Sequence, residues 1–369
     1  MKKNFFLVAA FLLLQYCSLA QLTTPPNGGN HKAMVSERIG LTDVTIRYDR
    51  PGVKGREGKI WGQLVPFGFT DQGFGTSKAA PWRAGANENT TIEFSTDVKV
   101  EGKDLPAGKY AFFIAVEKDE STLIFSKNNA AWGSFFYKPE EDALRVVIKQ
   151  KPVEKSVEWL KYEFLDQTTN AATIALEWEN LIFVFKVETD LNKIQLQTFR
   201  NELKTDKGFE WKAWVQAVNW CADNNTNLDE ALQWADYAIG AVFVGEKNFS
   251  TLSAKSRILA LTGKTAEADA LMKEALPLGA MNEVHNYARQ LLGAKKVKDA
   301  AEVFKANYKK YPNTFTTNMG MARGLSAEGS FKEALKYATA ALAQVPDPAT
   351  KTYVEGLVEK LKQGKDINQ

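Results

Sequence analysis

The chain has little of what most enzymes use for chemistry. Its 369 residues include two cysteines and two histidines, too few for a disulfide framework or a histidine- and cysteine-rich metal centre. The histidines are far apart: His31 lies in the polar stretch PPNGGNHK and His285 in the opposite half. A histidine-based triad therefore has no basis. Charge of one sign is also scarce. Lys and Arg total 47 against 44 Asp and Glu, a net +3, which excludes the broad positive field that non-specific nucleic-acid binding needs. The glycines at Gly52, Gly55 and Gly58, and at Gly73 and Gly75, do not form a phosphate loop leading into a helix. No cofactor is expected. No apolar run approaches the roughly 20 residues needed to span a bilayer.

One shorter apolar run is present, at the N-terminus. Lys2 and Lys3 precede the unbroken stretch Phe5–Leu14, and Ser18-Leu19-Ala20 then supplies small residues ahead of Gln21. This is the pattern of a secretory signal peptide over residues 1–20, cut after Ala20. It predicts an exported protein that is periplasmic, outer-surface or extracellular after cleavage. Cys17 would be lost with the signal. Cys221 would then stand alone, with no intramolecular disulfide to form.

Two side-chain periods divide the rest. From Met34 to Glu188 apolar and polar residues alternate, as in Val44-Thr45-Ile46-Arg47-Tyr48, Ile92–Phe94, Val98–Val100 and Tyr110–Val116. The pattern continues through Thr122–Phe125, Leu144–Ile148, Trp159–Phe164, Ile174–Trp178 and Leu181–Val187. Alternation marks half-buried strands. Turn signals such as Glu101-Gly102, Pro106-Ala107-Gly108 and Lys118-Asp119-Glu120 make neighbouring strands antiparallel. Roughly eight to ten short strands without intervening helices predict a β-sandwich over residues 34–188. Its core would hold Trp132, Phe135, Phe136, Tyr137, Trp159, Tyr162, Phe164 and Trp178.

Near Thr189-Asp190 the period becomes helical, and residues 189–208 read as a helical linker. Alanine-centred motifs then recur at Ala231, Ala268, Ala300 and Ala334, close to a period of about 34 residues. Seven positions after each stand Ala238, Ala275, Asn307 and Ala341. Twelve before stand Asn219, Ser256, Ala288 and Ala322. Small residues in that register suit close packing of helix pairs. They resemble a tetratricopeptide array over residues 209–346, with residues 347–369 as a capping helix and tail. The fold class is thus multidomain β + α: an antiparallel β-sandwich followed by a tetratricopeptide-like α-helical solenoid.

The motifs IGLTDVTIRYDRPGVKGR (Ile39–Arg56), WRAGANENTTIEFSTDVKVEGKDLPAGKY (Trp82–Tyr110) and NNAAWGSFFY (Asn128–Tyr137), with EDALRVVIK behind them, carry a family resemblance. In this order they resemble a bacterial secreted family known as domain of unknown function twenty-nine-eleven, over residues 34–188. Members are often followed by tetratricopeptide-like repeats. The resemblance implies location and architecture and no activity. The sequence departs from the family pattern at Phe67–Pro81, an enlarged loop rich in glycine and aromatics.

Two motifs carry candidate chemistry. Arg50, Lys54 and Arg56 flank a turn made by Pro51 and Gly52. They can grip a carboxylate, sulfate or phosphate, or Arg50 can pair internally with Asp49 or Glu88. Trp82, Arg83, Asn87 and Glu88 offer a flat ring beside polar groups, as a sugar-binding surface requires. Alternatively, Trp82 plugs the end of the sandwich. Trp132 can form a second wall or a core contact. Glu88 is the nearest to an acid candidate, whereas Glu140-Glu141-Asp142 read as a solvated turn. These residues predict an exported, non-catalytic binding or scaffold protein of the cell envelope, its helical repeats engaging another protein. The alternative is a glycan-acting enzyme or carbohydrate-binding module, with a glycan or small anionic ligand on the sandwich. Neither nucleic acid nor a membrane span enters either reading.

Overall fold

The computed structural model describes residues 29–369, so the expected signal peptide lies outside the described residues. The chain divides after Gln195 into two compact units. The first is built from two antiparallel sheets. One has the order β1 (His31–Ile39), β2 (Thr42–Arg50), β3 (Thr91–Phe94), β6 (Gly108–Ala115), β7 (Ser121–Ser126) and β8 (Asp142–Ile148). The other has the order β5 (Lys103–Leu105), β4 (Val98–Val100), β10 (Ala171–Glu188) and β9 (Lys151–Leu165). Aromatic rings join the facing layers. The Phe185 ring lies 5.5 Å from Phe112 and 6.1 Å from Phe125, centroid to centroid.

Three local features differ from the sequence reading. Residues His31–Met34 belong to β1, and the His31 ring packs edge-on against Trp159 at 4.9 Å. Strands β9 and β10 are long, at 15 and 18 residues. The break in alternation between Trp178 and Leu181 is a bulge within one strand, centred on Glu179 at φ +51°. A bulge shifts the phase of alternation, which reads in sequence as two separate strands. Finally, Trp132 and Phe136 are exposed rather than in the core. Both belong to the loop between β7 and β8, where alternation no longer fixes a side chain's direction.

The second unit contains helix pairs. Helix α1 (Leu191–Glu202), which spans the division between the units, leads into α2 (Trp211–Asp223) and α3 (Leu228–Gly240), then α4 (Phe249–Leu261) and α5 (Thr265–Ala275). Next come α6 (Met281–Gly293) and α7 (Val297–Lys310), α8 (Phe315–Ala327) and α9 (Phe331–Leu342), and a last helix α10 (Pro348–Lys362). Within each pair the two helices pack on each other. The alanine register forms the seam: Ala231, Ala268, Ala300 and Ala334 are buried, as are Ala238, Ala275, Asn307 and Ala341. Ser256, Ala288 and Ala322 are buried on the opposing helices, whereas Asn219 is half-buried. The Ser256 hydroxyl donates to the Ala268 carbonyl at 2.9 Å, so even the polar member of the seam joins two helices.

Local chemistry sets the helix ends. Asn248 caps α4 by accepting from the Thr251 amide, and Thr314 caps α8 by accepting from Thr317. Asp347 caps α10, with Pro348 at its first position. The turn within three of the pairs needs a left-handed residue five positions before the key alanine. Gly263 and Gly329 supply it, and Lys295 takes the same conformation at φ +60°. Cys221 is fully buried, and burial pushes its thiol up to about 11, so it is a packing residue rather than a nucleophile.

Candidate functional site

The 40-residue crossover between β2 and β3 folds into loops over one end of the sheets, and a cavity of about 450 Å³ opens among them. The bulge in β10 anchors that crossover. Its buried Glu179 carboxylate accepts from the Gly58 amide at 2.9 Å. Next to it, Trp178 forms part of the cavity wall.

The segment Trp82–Asn87 forms another wall. Ala84 and Asn87 are both left-handed, at φ +47° and +53°, a conformation that costs non-glycine residues energy and needs outside support. Support comes from the Ala84 carbonyl, which accepts from the Tyr162 hydroxyl at 2.8 Å and from Thr90 at 3.1 Å. Trp82 is half-buried. Its indole donates to the Gly85 carbonyl, and its ring stacks near Trp178 at 5.9 Å and meets Trp61 edge-on at 5.5 Å. Trp82 thus packs as a structural ring and lines the cavity as well.

Arg83 is the unusual group. Its guanidinium donates to the Asn87 carbonyl at 2.6 Å and lies 4.9 Å over the Phe135 ring. It makes no ion pair among the described residues, and burial pushes its pKa down. Gly133, at φ +61°, is pressed against it, and a Cβ there would collide with the guanidinium. Arg56 also lines the cavity, folded back so that it donates to the carbonyls of Val53 and Gly52 at 2.9 and 2.7 Å. The enlarged loop adds Thr70 and Gln72, the latter held by Ser134 at 3.0 Å. No aspartate or glutamate lines this cavity.

Arg50, Lys54, Glu88 and Trp132 lie outside it. Arg50 pairs with neither Asp49 nor Glu88; it donates to the Leu160 carbonyl at 2.7 Å and ties β2 to β9. Lys54 turns toward the Gly29 carbonyl and the Trp159 ring. Glu88 and Trp132 line a second, shallower cavity of about 590 Å³ together with Asp49 and Lys32. There Lys32 reaches Glu88 at 2.7 Å and Asp49 at 3.8 Å, and Asn87 donates to Asp49 at 3.2 Å. Burial and hydrogen bonding to Glu88 raise the Asp49 carboxyl, while Lys32 lowers Glu88. Asp142 is not part of a solvated turn, since its buried carboxylate accepts from Tyr137 at 2.7 Å and from Arg145 at 2.6 Å.

Residues 30–187 match the model of a family described as protein of unknown function (DUF2911). The matched residues take in nearly the whole of both sheets and both cavities. The helical region is similar to solved tetratricopeptide-type structures. One is titled as YrrB, a tetratricopeptide protein with an unusual peptide-binding site: 18% identity over 46% of this chain and 86% of that one, TM-score 0.29. Another is MamA from Desulfovibrio magneticus RS-1, with 16% identity, 43% and 90% coverage, and a TM-score of 0.29. No curated protein matches the chain. Among the described residues no helix is long and apolar enough to cross a membrane, and no group of three or more His, Cys, Asp or Glu is placed to hold a metal.

Sequence reasoning missed Leu64, Pro66, Thr70, Gln72 and Trp178 as contributors to this cavity. Trp178 read as an ordinary core residue, and only the interrupted alternation after it marked the bulge beside it. Gln72 had no signal beyond its place in the enlarged loop.

Proposed function

We propose that the chain is an exported, non-catalytic binding protein of the cell envelope whose helical repeats hold a protein partner. The observation supporting this reading is the turn after α3. Val242 and Phe243 stand 75% and 93% exposed there, beside the exposed Tyr237. Phe243 holds φ +68°, an outlier for a bulky side chain. The turn is nonetheless fixed, with the Gly245 amide donating to Ala241 at 2.7 Å and the Glu246 amide to Ala238 at 2.9 Å. An apolar knob held in a costly conformation and left in water is what an interface anchor looks like before its partner arrives.

The test uses the full chain and the double variant Val242→Ser, Phe243→Ser, each as bait in envelope extract. The variant keeps its helical circular dichroism, because neither side chain is packed. A protein captured by the wild type and lost, or weakened at least tenfold, by the variant supports the reading. Identical capture by both baits refutes it. Cell fractionation, with mass measurement of a mature chain starting at Gln21, tests export separately.

A further inference from the structure

We propose that the crossover cavity of the DUF2911 region binds a small organic anion: one carboxylate, sulfate or phosphate head on a body about the size of a monosaccharide or a single aromatic ring. This goes beyond the protein-partner reading and does not depend on it.

Charge is the first ground. A guanidinium withdrawn from water is costly unless an opposite charge or several hydrogen bonds compensate it. Arg83 is half-buried and has one carbonyl and the face of Phe135, with no carboxylate partner among the described residues. Arg56 shares the same wall and spends two donors on its own loop, which fixes its position and leaves its remaining amino group uncommitted. Every charged residue lining the cavity is cationic. The neighbouring cavity shows the opposite arrangement, in which Lys32 meets both carboxylates.

The second ground is shape. The cavity's volume of about 450 Å³ falls within the range of small-molecule sites, and the ring of Trp178 forms part of its wall. Trp82, Leu64 and Pro66 give the body of a ligand apolar walls, and Asn87 and Gln72 give it polar edges.

The experiment titrates the full chain with glucuronate, benzoate and phenyl phosphate, and with the neutral counterparts glucose, benzamide and phenol. Binding is read by intrinsic tryptophan fluorescence and by calorimetry. At least one acid is expected to bind saturably and at least tenfold more tightly than its neutral counterpart. Which acid binds distinguishes a sugar acid from an aromatic acid or a phosphate ester. Arg83→Gln should weaken that binding at least tenfold, Arg83→Lys should weaken it less, and Lys54→Gln, outside the cavity, should leave it unchanged. If Arg83→Gln does not fold, the acid-against-neutral comparison on the wild type decides. Failure of all three acids to saturate, equal binding of an acid and its neutral counterpart, or unchanged affinity in a folded Arg83→Gln protein would each overturn the proposal.

Discussion

The sheet unit and the helical unit fill their interiors in opposite ways. Between the sheets the fully buried side chains are large: Trp178, Phe94, Phe112, Phe125, Phe183 and Phe185. Between the helices the seam is alanine, and Phe304 is the one helical residue among the largest fully buried side chains described. Large rings joined by irregular loops do not tile a surface completely, and a cavity with ring-faced walls remains where the crossover closes over them. Alanines bring helix backbones close together, leave little interior, and send bulky side chains such as Tyr237, Phe243 and Tyr353 outward. The first arrangement suits a small ligand held inside, and the second a partner held on a surface.

The strongest challenge to this contrast is Trp178→Ala. It should cost the sheet unit about 3–5 kcal/mol, the range for removing a large buried ring, measured by chemical denaturation. Amide exchange should show the loss in β10 and its neighbours while the protection of α4 to α9 is unchanged. Equal loss of protection in the helices would mean that the two interiors are not separate. Acid provides a second, smaller contrast. Burial, reinforced by Arg289 and Arg323, depresses His285 to about 4. The folded form therefore binds its proton less readily than the unfolded form. Stability is full above about pH 6.5 and falls as the pH drops toward 4, by on the order of 1–2 kcal/mol after allowing for solvent screening. His285→Gln should flatten that decline in the melting temperature of the helical unit. The smallest effect is a gain. Lys295→Gly puts glycine where Gly263 and Gly329 already stand and should raise stability by about 1 kcal/mol in the same denaturation assay. No gain would mean that the Lys295 side chain makes up for the strain of its backbone.

The same contrast explains what the sequence discloses. The seam was readable because a helix keeps its register along its length, so Ala231, Ala268, Ala300 and Ala334 announce themselves by spacing alone. The strands were readable by alternation until Glu179 shifted the phase. At the site, Arg56, Trp82, Arg83 and Asn87 were visible as a cluster of suitable residue types, and the fold brings them to one cavity. Arg50, Lys54, Glu88 and Trp132 are equally suitable in kind but point elsewhere. In a turn, side-chain direction follows the local φ, and Lys54 at φ +52° is turned away by its own backbone. No pattern in residue types records that angle.

The burial of Cys221 has a practical consequence. A chain beginning at Gln21 has no other thiol, and this one is both enclosed and poorly ionised near neutral pH. Maleimide reagents should leave it unmodified, so a single cysteine placed at an exposed position can take a dye or spin label without first removing the native one.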